Sequence, residues 1–503
     1  MTTTRSPADA SPEFWALASV TFALTAVHLY AATRVGFGDA EALYACYALH
    51  PFAAYLDHPG LIGVIARLLG GGSAPTPEQA HVATSLVGPL VPWAIVAACR
   101  ASGAGRDRAF TAGLVVATVP EVAIGLFAMT PDLPLALAWI GAIAFASRGL
   151  RSPPQSAQAF VSLVFAGLLA GVSVVAKVSG ALLFVSLAAS YVSRPARAHA
   201  KTPAPWLGLA IGMVVVLPVV LFEAHTKWPL LRHRWIDTQS AAHFSLRNAA
   251  ALVGGQLFYL SPLVAVLAAQ AARTAWRNRF KDAVGVLLFA SFALPAAVLV
   301  PLCLWSSVAE PHWLAPAFLS LVPAAARAKG GPSRRLVLWA TALGAAIVAI
   351  VHLWVLVPDA VRLAPRTADV RLDLTNELYG WPQVIQAVRR EAAAAITPLS
   401  TRSDVIVVGP HWVICAQLEA ALRGDIAVGC DTPIPDDFDG WWPRSRWRMA
   451  DSILWVTDAR FGPPHPPAAY ATERVREINI VRGGRIIRTF TVSTLKRVGL
   501  SFE

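Results

Sequence analysis

Residues 36–69 read GFGDAEALYACYALHPFAAYLDHPGLIGVIARLL. This stretch follows the first long apolar run of the chain and is itself only half apolar. Its acidic residues come in two knots, Asp39 with Glu41 and Asp57 beside His58, and Pro59-Gly60 turns the chain immediately afterwards. Carboxylates, an imidazole and a proline turn just outside a membrane helix point to a reaction centre and not to a plain connector. The apolar segment Leu61–Leu69 that ends the stretch is suited to lie in a membrane interface.

Working outward, the 503-residue chain is 56% hydrophobic and only 14% charged, where about a quarter is typical of a soluble globule. Its mean hydropathy is +0.54. Apolar runs of about 18 or more residues, the length that crosses a hydrocarbon core, recur over the first 357 positions. The chain is read as a polytopic membrane protein. The first run, Phe14–Thr33, has a weakly charged front and no small-residue cleavage pattern, so it is read as a retained helix. The net charge of +12 does not imply nucleic acid, because the basic residues sit in short clusters between apolar runs, as membrane orientation requires.

About eleven helices are predicted, over 14–34, 82–100, 108–127, 131–147, 158–175, 179–193, 205–223, 249–271, 283–305, 311–327 and 335–357. Alternate connections carry the Arg and Lys clusters, around Arg100–Arg108, Arg148–Arg151, Arg194–Lys201, Arg273–Lys281 and Arg327–Arg335. By the positive-inside rule these are cytoplasmic. The first outer loop (35–81), the turns at Met129–Pro131 and Lys177, the segment 224–248 and the connection Trp305–Pro311 then face out. After Pro358 charge becomes ordinary. Strands are predicted at Val405–Gly409, Ile426–Gly429 and Ile453–Thr457, helices at Gln383–Ala395 and Val413–Leu422, and a hairpin at Glu477–Val492 turning at Arg482–Arg485. The expected organisation is a membrane domain over 1–357 and a small extracytoplasmic α/β domain over 358–503. Cys415 and Cys430, both in that outer domain, form either a disulfide or two buried thiols.

Each candidate site residue has an ordinary explanation beside the chemical one. Asp39 or Glu41 is a general base, a metal ligand or a solvated loop charge. Asp132, between Pro131 and Pro134 at an outer helix boundary, is a helix cap or an acid facing protein, water or substrate. Glu121, deeper, is a buried partner or a cavity lining. Lys177 either snorkels to the headgroups or grips a lipid phosphate. Trp313 would serve as an interfacial anchor, and His312 beside it adds a polar group.

Taken together, the motifs GDAEALY (38–44), YLDHPGL (55–61), TPDLPLALAW (130–139), AKVSG (176–180) and EPHWLAPAFLS (310–320), with YGWPQV and DDFDGWW in the outer domain, resemble a known family. It is the GT-C class of bacterial membrane glycosyltransferases, in the group of dolichyl-phosphate-mannose protein mannosyltransferases and the lipid A aminoarabinose transferase. The likeness spans nearly the whole length in the expected order. Two departures stand out: Ala40 separates Asp39 from Glu41 where the family has adjacent Asp-Glu, and Pro59-Gly60 replaces Pro-Pro.

The resemblance implies a mainly α, GT-C-like transmembrane fold and a sugar donor carried on a polyprenyl phosphate. The acceptor would be the hydroxyl of a lipid, glycan or protein. Transfer would invert the anomeric carbon, on the outer face of a bacterial inner membrane. Asp39 or Glu41 would be the base, with Asp132 as a second carboxylate. Lys177 and His58 would meet the phosphate, and Tyr44, Tyr55, His312 and Trp313 would contact substrate. Asp57 with His58 could hold a divalent metal ion, and no other cofactor is implied. A transporter would instead place its ionisable groups at mid-bilayer on repeated broken helices, whereas here they crowd one face without a repeat. A non-catalytic polyprenyl-lipid-binding protein is the other alternative.

Overall fold

A computed structural model describes residues 11–239, 242–306, 310–367, 369, 371–395, 405–462 and 465–498. The chain opens with α1 (Pro12–Ala32), α2 (Asp39–Cys46), α3 (Leu61–Leu69), α4 (Pro77–Val87), α5 (Leu90–Ala101), α6 (Arg106–Ala117), α7 (Pro120–Ala123), α8 (Asp132–Arg151), α9 (Ala157–Ala176) and α10 (Gly180–Tyr191). Next come α11 (Arg197–Ala200), α12 (Ala204–His225), α13 (Pro229–Trp235), α14 (Leu246–Tyr259), α15 (Pro262–Asn278), α16 (Ala283–Trp305), α17 (Ala315–Arg327) and α18 (Arg334–Leu356). All eleven predicted segments are helical. Among the described residues seven helices, counting α4–α5 as one, are long and apolar enough to cross a membrane, or nine if two bent pairs each count as one span.

The bends account for the difference. α6 and the α7 segment meet at 69°, at Pro120, and α14 and α15 meet at 101°, at Ser261-Pro262. Proline there removes a backbone donor and clashes with the preceding turn. The 12 residues of α10 rise only about 18 Å, less than a hydrocarbon core of about 30 Å. The chain is a multi-pass membrane protein with several discontinuous helices.

α9 and α12 pack backbone to backbone. A Cβ at Gly167 would fall 2.0 Å from Gly208, and one at Gly171 would fall 2.4 Å from Gly212. Small residues four apart on both helices permit this approach, the usual glue of helices in lipid. Gly171→Val is expected to separate the pair and lower the thermal midpoint of the detergent-solubilised protein, whereas substitution at Gly254, with open space around it, should leave it unchanged.

The C-terminal part holds α19 (Trp381–Ala395), β1 (Ile406–Gly409), α20 (Trp412–Leu422), β2 (Ala427–Cys430), α21 (Asp437–Trp441), α22 (Arg444–Arg448), β3 (Ser452–Asp458), β4 (Tyr470–Arg482) and β5 (Arg485–Arg497). They form one five-stranded sheet, order β2-β1-β3-β5-β4. β1 runs parallel to β2 and β3, and β5 is antiparallel to β3 and β4. The predicted hairpin turns on Gly483 (φ 57°) and Gly484 (φ 77°), two left-handed positions that glycine fills without steric cost. Cys415 and Cys430 are disulfide-bonded across 15 residues, tying α20 to β2. Removing the bond is expected to cost about 3 kcal/mol by loop-closure entropy, read as a lower urea midpoint of Cys415→Ser/Cys430→Ser.

Although α18 ends at Leu356 and composition changes at Pro358, the first predicted outer loop is shared between the two parts. Ala42, Tyr44, Ala45 and Cys46 of α2 lie in one apolar core with Val407, Ile414, Ala416 and Val428. Polar contacts fix the register. Gly36 N–H donates to Leu378 O at 2.9 Å, Gln417 Nε2 to Phe37 O at 2.9 Å, and Leu56 N–H to Asp437 Oδ1 at 3.1 Å.

Candidate active site

The two acids of the first knot have different surroundings. Glu41, on the inner turn of α2, is buried and fully engaged. Its Oε1 accepts from Met129 N–H at 2.7 Å and meets His81 Nε2 at 3.0 Å, while Oε2 accepts from Gly38 N–H at 2.8 Å. A carboxylate holding these donors ties α2, α4 and the turn before α8 together. Asp39 is held differently. Its Oδ2 lies 2.9 Å from Arg460, on the turn after β3, and its Oδ1 is buried with no donor among the described residues.

Asp132 opens α8, and Lys177 ends α9. Lys177 Nζ donates to Asp132 Oδ1 at 2.8 Å, and His312 Nε2 stands 3.9 Å from Asp132 Oδ2. His312 Nδ1 is in turn 3.0 Å from Glu310, whose carboxyl it holds below the usual range, chiefly through that hydrogen bond. The Lys177 side chain is only 10% exposed, so it does not snorkel. Asp132 spends its first oxygen on Lys177, and no cap bond from a side chain precedes α8. Trp313 lies under two cations, 6.0 Å from Lys177 and 5.7 Å from Arg234.

His58 is brought to this cluster, but as a neutral group. Burial first, then the nearby Lys177 and Arg234 charges, hold its imidazole well below the usual histidine range. Its Nε2 meets Tyr44 OH at 3.0 Å, and Nδ1 is buried with no partner among the described residues. The second cation is therefore Arg234, from α13, which pairs with Asp57 at 3.0 Å. Sequence reasoning missed it. The available signal was the run Lys227–Arg234, an excess of cations on a side that the positive-inside rule leaves poor in them.

Two further groups of expected site residues make contacts of their own. Tyr55 stacks on Tyr47 and hydrogen-bonds the Tyr47 and His50 carbonyls at 3.0 and 2.8 Å, so it braces the loop. Asp57 pairs with Arg234 and His58 with Tyr44, and no group of three or more His, Cys, Asp or Glu side chains is arranged to hold a metal ion among the described residues.

Asp132, Glu310 and His312 face a cavity of ≈ 1400 Å³, larger than the ~300–1,000 Å³ usual for small ligands. Its walls are mainly apolar side chains of α6, α15 and α17, among them Val115, Leu267 and Phe318, with Glu121 also in the lining. It reaches Arg108, Arg277 and Arg334 at the opposite helix ends. The charged cluster thus stands at one end of a long apolar groove.

Comparison with known proteins agrees with this geometry. Residues 58–222 match the family model described as dolichyl-phosphate-mannose-protein mannosyltransferase. The fold is similar to ArnT from Cupriavidus metallidurans in the apo state, at TM-score 0.60 and 16% identity, over 94% of this chain and 97% of that one. The same protein bound to undecaprenyl phosphate matches at TM-score 0.60 and 15% identity, over 96% and 98%. The apo oligosaccharyltransferase of Archaeoglobus fulgidus matches at 0.53 and 11% identity, over 90% of this chain and 70% of that one. No curated protein matches the chain. The fold is ArnT-like, the GT-C fold that the motifs suggest.

Proposed function

We propose that the chain transfers a sugar from a polyprenyl-phosphate donor to a hydroxyl acceptor, with inversion, at the extracytoplasmic face of a bacterial inner membrane. One observation carries the reading: Asp132, which lines the apolar groove, is bonded to Lys177, and Lys177 and Arg234 both stand over Trp313 with neutral His58 nearby. A groove of that size suits a prenyl chain, and the cluster suits its phosphate. The match of ArnT to this fold, in a form bound to undecaprenyl phosphate, supports the donor class.

In a single displacement the acceptor hydroxyl must lose a proton, the anomeric carbon becomes oxocarbenium-like and the lipid phosphate departs. Asp39 is the base of this proposal. Lys177 and Arg234 neutralise the leaving phosphate, and the unpartnered Nδ1 of His58 offers it a hydrogen bond. Asp132 is the second carboxylate, handing Lys177 to the phosphate when the donor arrives. Residues 1–357 would form the membrane catalytic part and 358–503 the outer domain.

Purified protein in lipid nanodiscs should release sugar from the radiolabelled polyprenyl-phosphate sugars extracted from the source cell's membranes. No release from any fraction would defeat the reading. Orientation has its own test. A cysteine at exposed Arg485 should be labelled from outside intact spheroplasts, and labelling only after permeabilisation would reverse the topology.

A further inference from the structure

Glu377 lies on the short turn Leu374–Leu378, between α18 and α19. In sequence it is one acid in a segment of ordinary charge. In the structure it has two faces. Toward the helices it lines the large cavity, which Asp39 does not. Toward the C-terminal part it stands beside Gly38, with Oε1 3.0 Å from the place a Gly38 Cβ would occupy, and against the Asp39 carboxyl. Since Asp39 Oδ1 is buried without a donor, a protonated Glu377 is the group placed to supply one.

The charges behind the pair fix its proton count. Arg488 grips Asp458 at 2.7 Å, both fully buried. Arg460 stands 3.7 Å from Asp458, 3.8 Å from Glu377 and 2.9 Å from Asp39. Glu41, on the far side of Gly38, is already occupied by its own donors. Two arginines and two aspartates balance, so an ionised Glu377 would leave a surplus negative charge in a mostly buried network, which is costly. Burial first, then the Asp39 charge, push its carboxyl up to about 8, where a proton-transfer group is most effective near neutral pH.

We propose that Glu377 and Asp39 form one proton-accepting carboxyl pair, with Glu377 the member that presents it to the acceptor in the cavity. This rests on the transferase reading above. In the step, the acceptor O–H bond breaks and its proton passes to the pair. The oxygen's electron pair forms the new bond to the anomeric carbon, and the old carbon–oxygen bond breaks with its electrons leaving on the polyprenyl phosphate. Arg460 is a positioning residue that holds Asp39. The pair accepts a proton best once its shared proton has left, so kcat/KM rises with pH toward about 8.

Infrared difference spectroscopy of the full chain in nanodiscs tests the pair without any donor. A protonated-carboxyl band should titrate near pH 8 and be absent in Glu377→Gln. Its midpoint should move down in Asp39→Asn, which removes a negative neighbour, and up in Arg460→Gln, which removes a positive one. A band unchanged in Glu377→Gln overturns the proposal. With the extracted radiolabelled donor pool as probe, Glu377→Gln should lower kcat by roughly 10²–10⁴-fold, leave donor KM nearly unchanged and flatten the pH rise, with partial rescue in Glu377→Asp. Wild-type turnover and an unaltered pH profile in Glu377→Gln, with Asp39→Asn inactive, would remove Glu377 and leave the transferase reading standing. A wild-type protein that turns over no donor would defeat that reading and the catalytic use of the pair together.

Discussion

Asp39→Asn is expected to lower turnover by roughly 10²–10⁴-fold, the usual loss on removing a general base, while the protein still binds donor. The substitution keeps shape and removes charge, so the packing of α2 against α20 should survive. Glu41→Gln should behave differently. It replaces an acceptor of three buried contacts with an amide that must present a donor to one of them, at a cost of about 1–3 kcal/mol. The expected result is a lower thermal midpoint with smaller change in kcat per folded molecule. Measuring both quantities on both variants decides which acid is chemical and which structural. An active Asp39→Asn beside an inactive, well-folded Glu41→Gln would exchange the roles.

Lys177→Ala is the second large effect, expected to cost roughly 10²–10³-fold in kcat, as loss of one charge-stabilising donor does, and to raise the donor requirement. Lys177 is buried and bonded to Asp132, so its removal also strands that carboxylate. Asp132→Asn/Lys177→Ala should therefore fold better than Lys177→Ala while remaining inactive. Arg234→Ala should weaken donor binding through the same phosphate. If the two cations share one phosphate, their losses will not add. Because His58 is neutral, His58→Ala should cost less than either cation and show little salt dependence. Donor titration of the four variants checks the ordering, and equal donor dependence in all of them would remove the phosphate site.

Much of the helical frame is legible in sequence, because lipid imposes a long apolar period that needs no tertiary information. α16, at Ala283–Trp305, falls on the predicted segment itself, while the breaks at Pro120 and Pro262 lie inside predicted single spans. A proline marks a permissible bend without stating that the neighbouring helices use it. The site is legible where it is local. Asp132 and Lys177 sit at helix ends that the apolar pattern already locates. Arg234, Glu377 and Arg460 are not visible this way, since each reaches the site through contacts dozens to hundreds of residues away. The charge state of His58 likewise depends on Lys177 and Arg234 as neighbours, which no local pattern reveals. Asp39 and Glu41, two residues apart, look alike in sequence and differ only because one turn of α2 points one toward His81 and the other toward Arg460.

The shared core of α2 and α20 also sets an order of events during synthesis. Cys46 and its partner Ala416 are 370 residues apart. At about 5–20 residues per second, the first loop is made roughly 20–70 s before the surface that completes it. Through that interval Ala42, Tyr44 and Cys46 have only the early part of their core, Tyr55, Ile62, Ala66 and Met129, and lack the Ile414, Ala416 and Val428 side. Truncation anywhere before α20 would remove the partner of Cys46 altogether. The proposed centre is therefore assembled last, by the arrival of Arg460 and its neighbours, even though its first acid is among the earliest made.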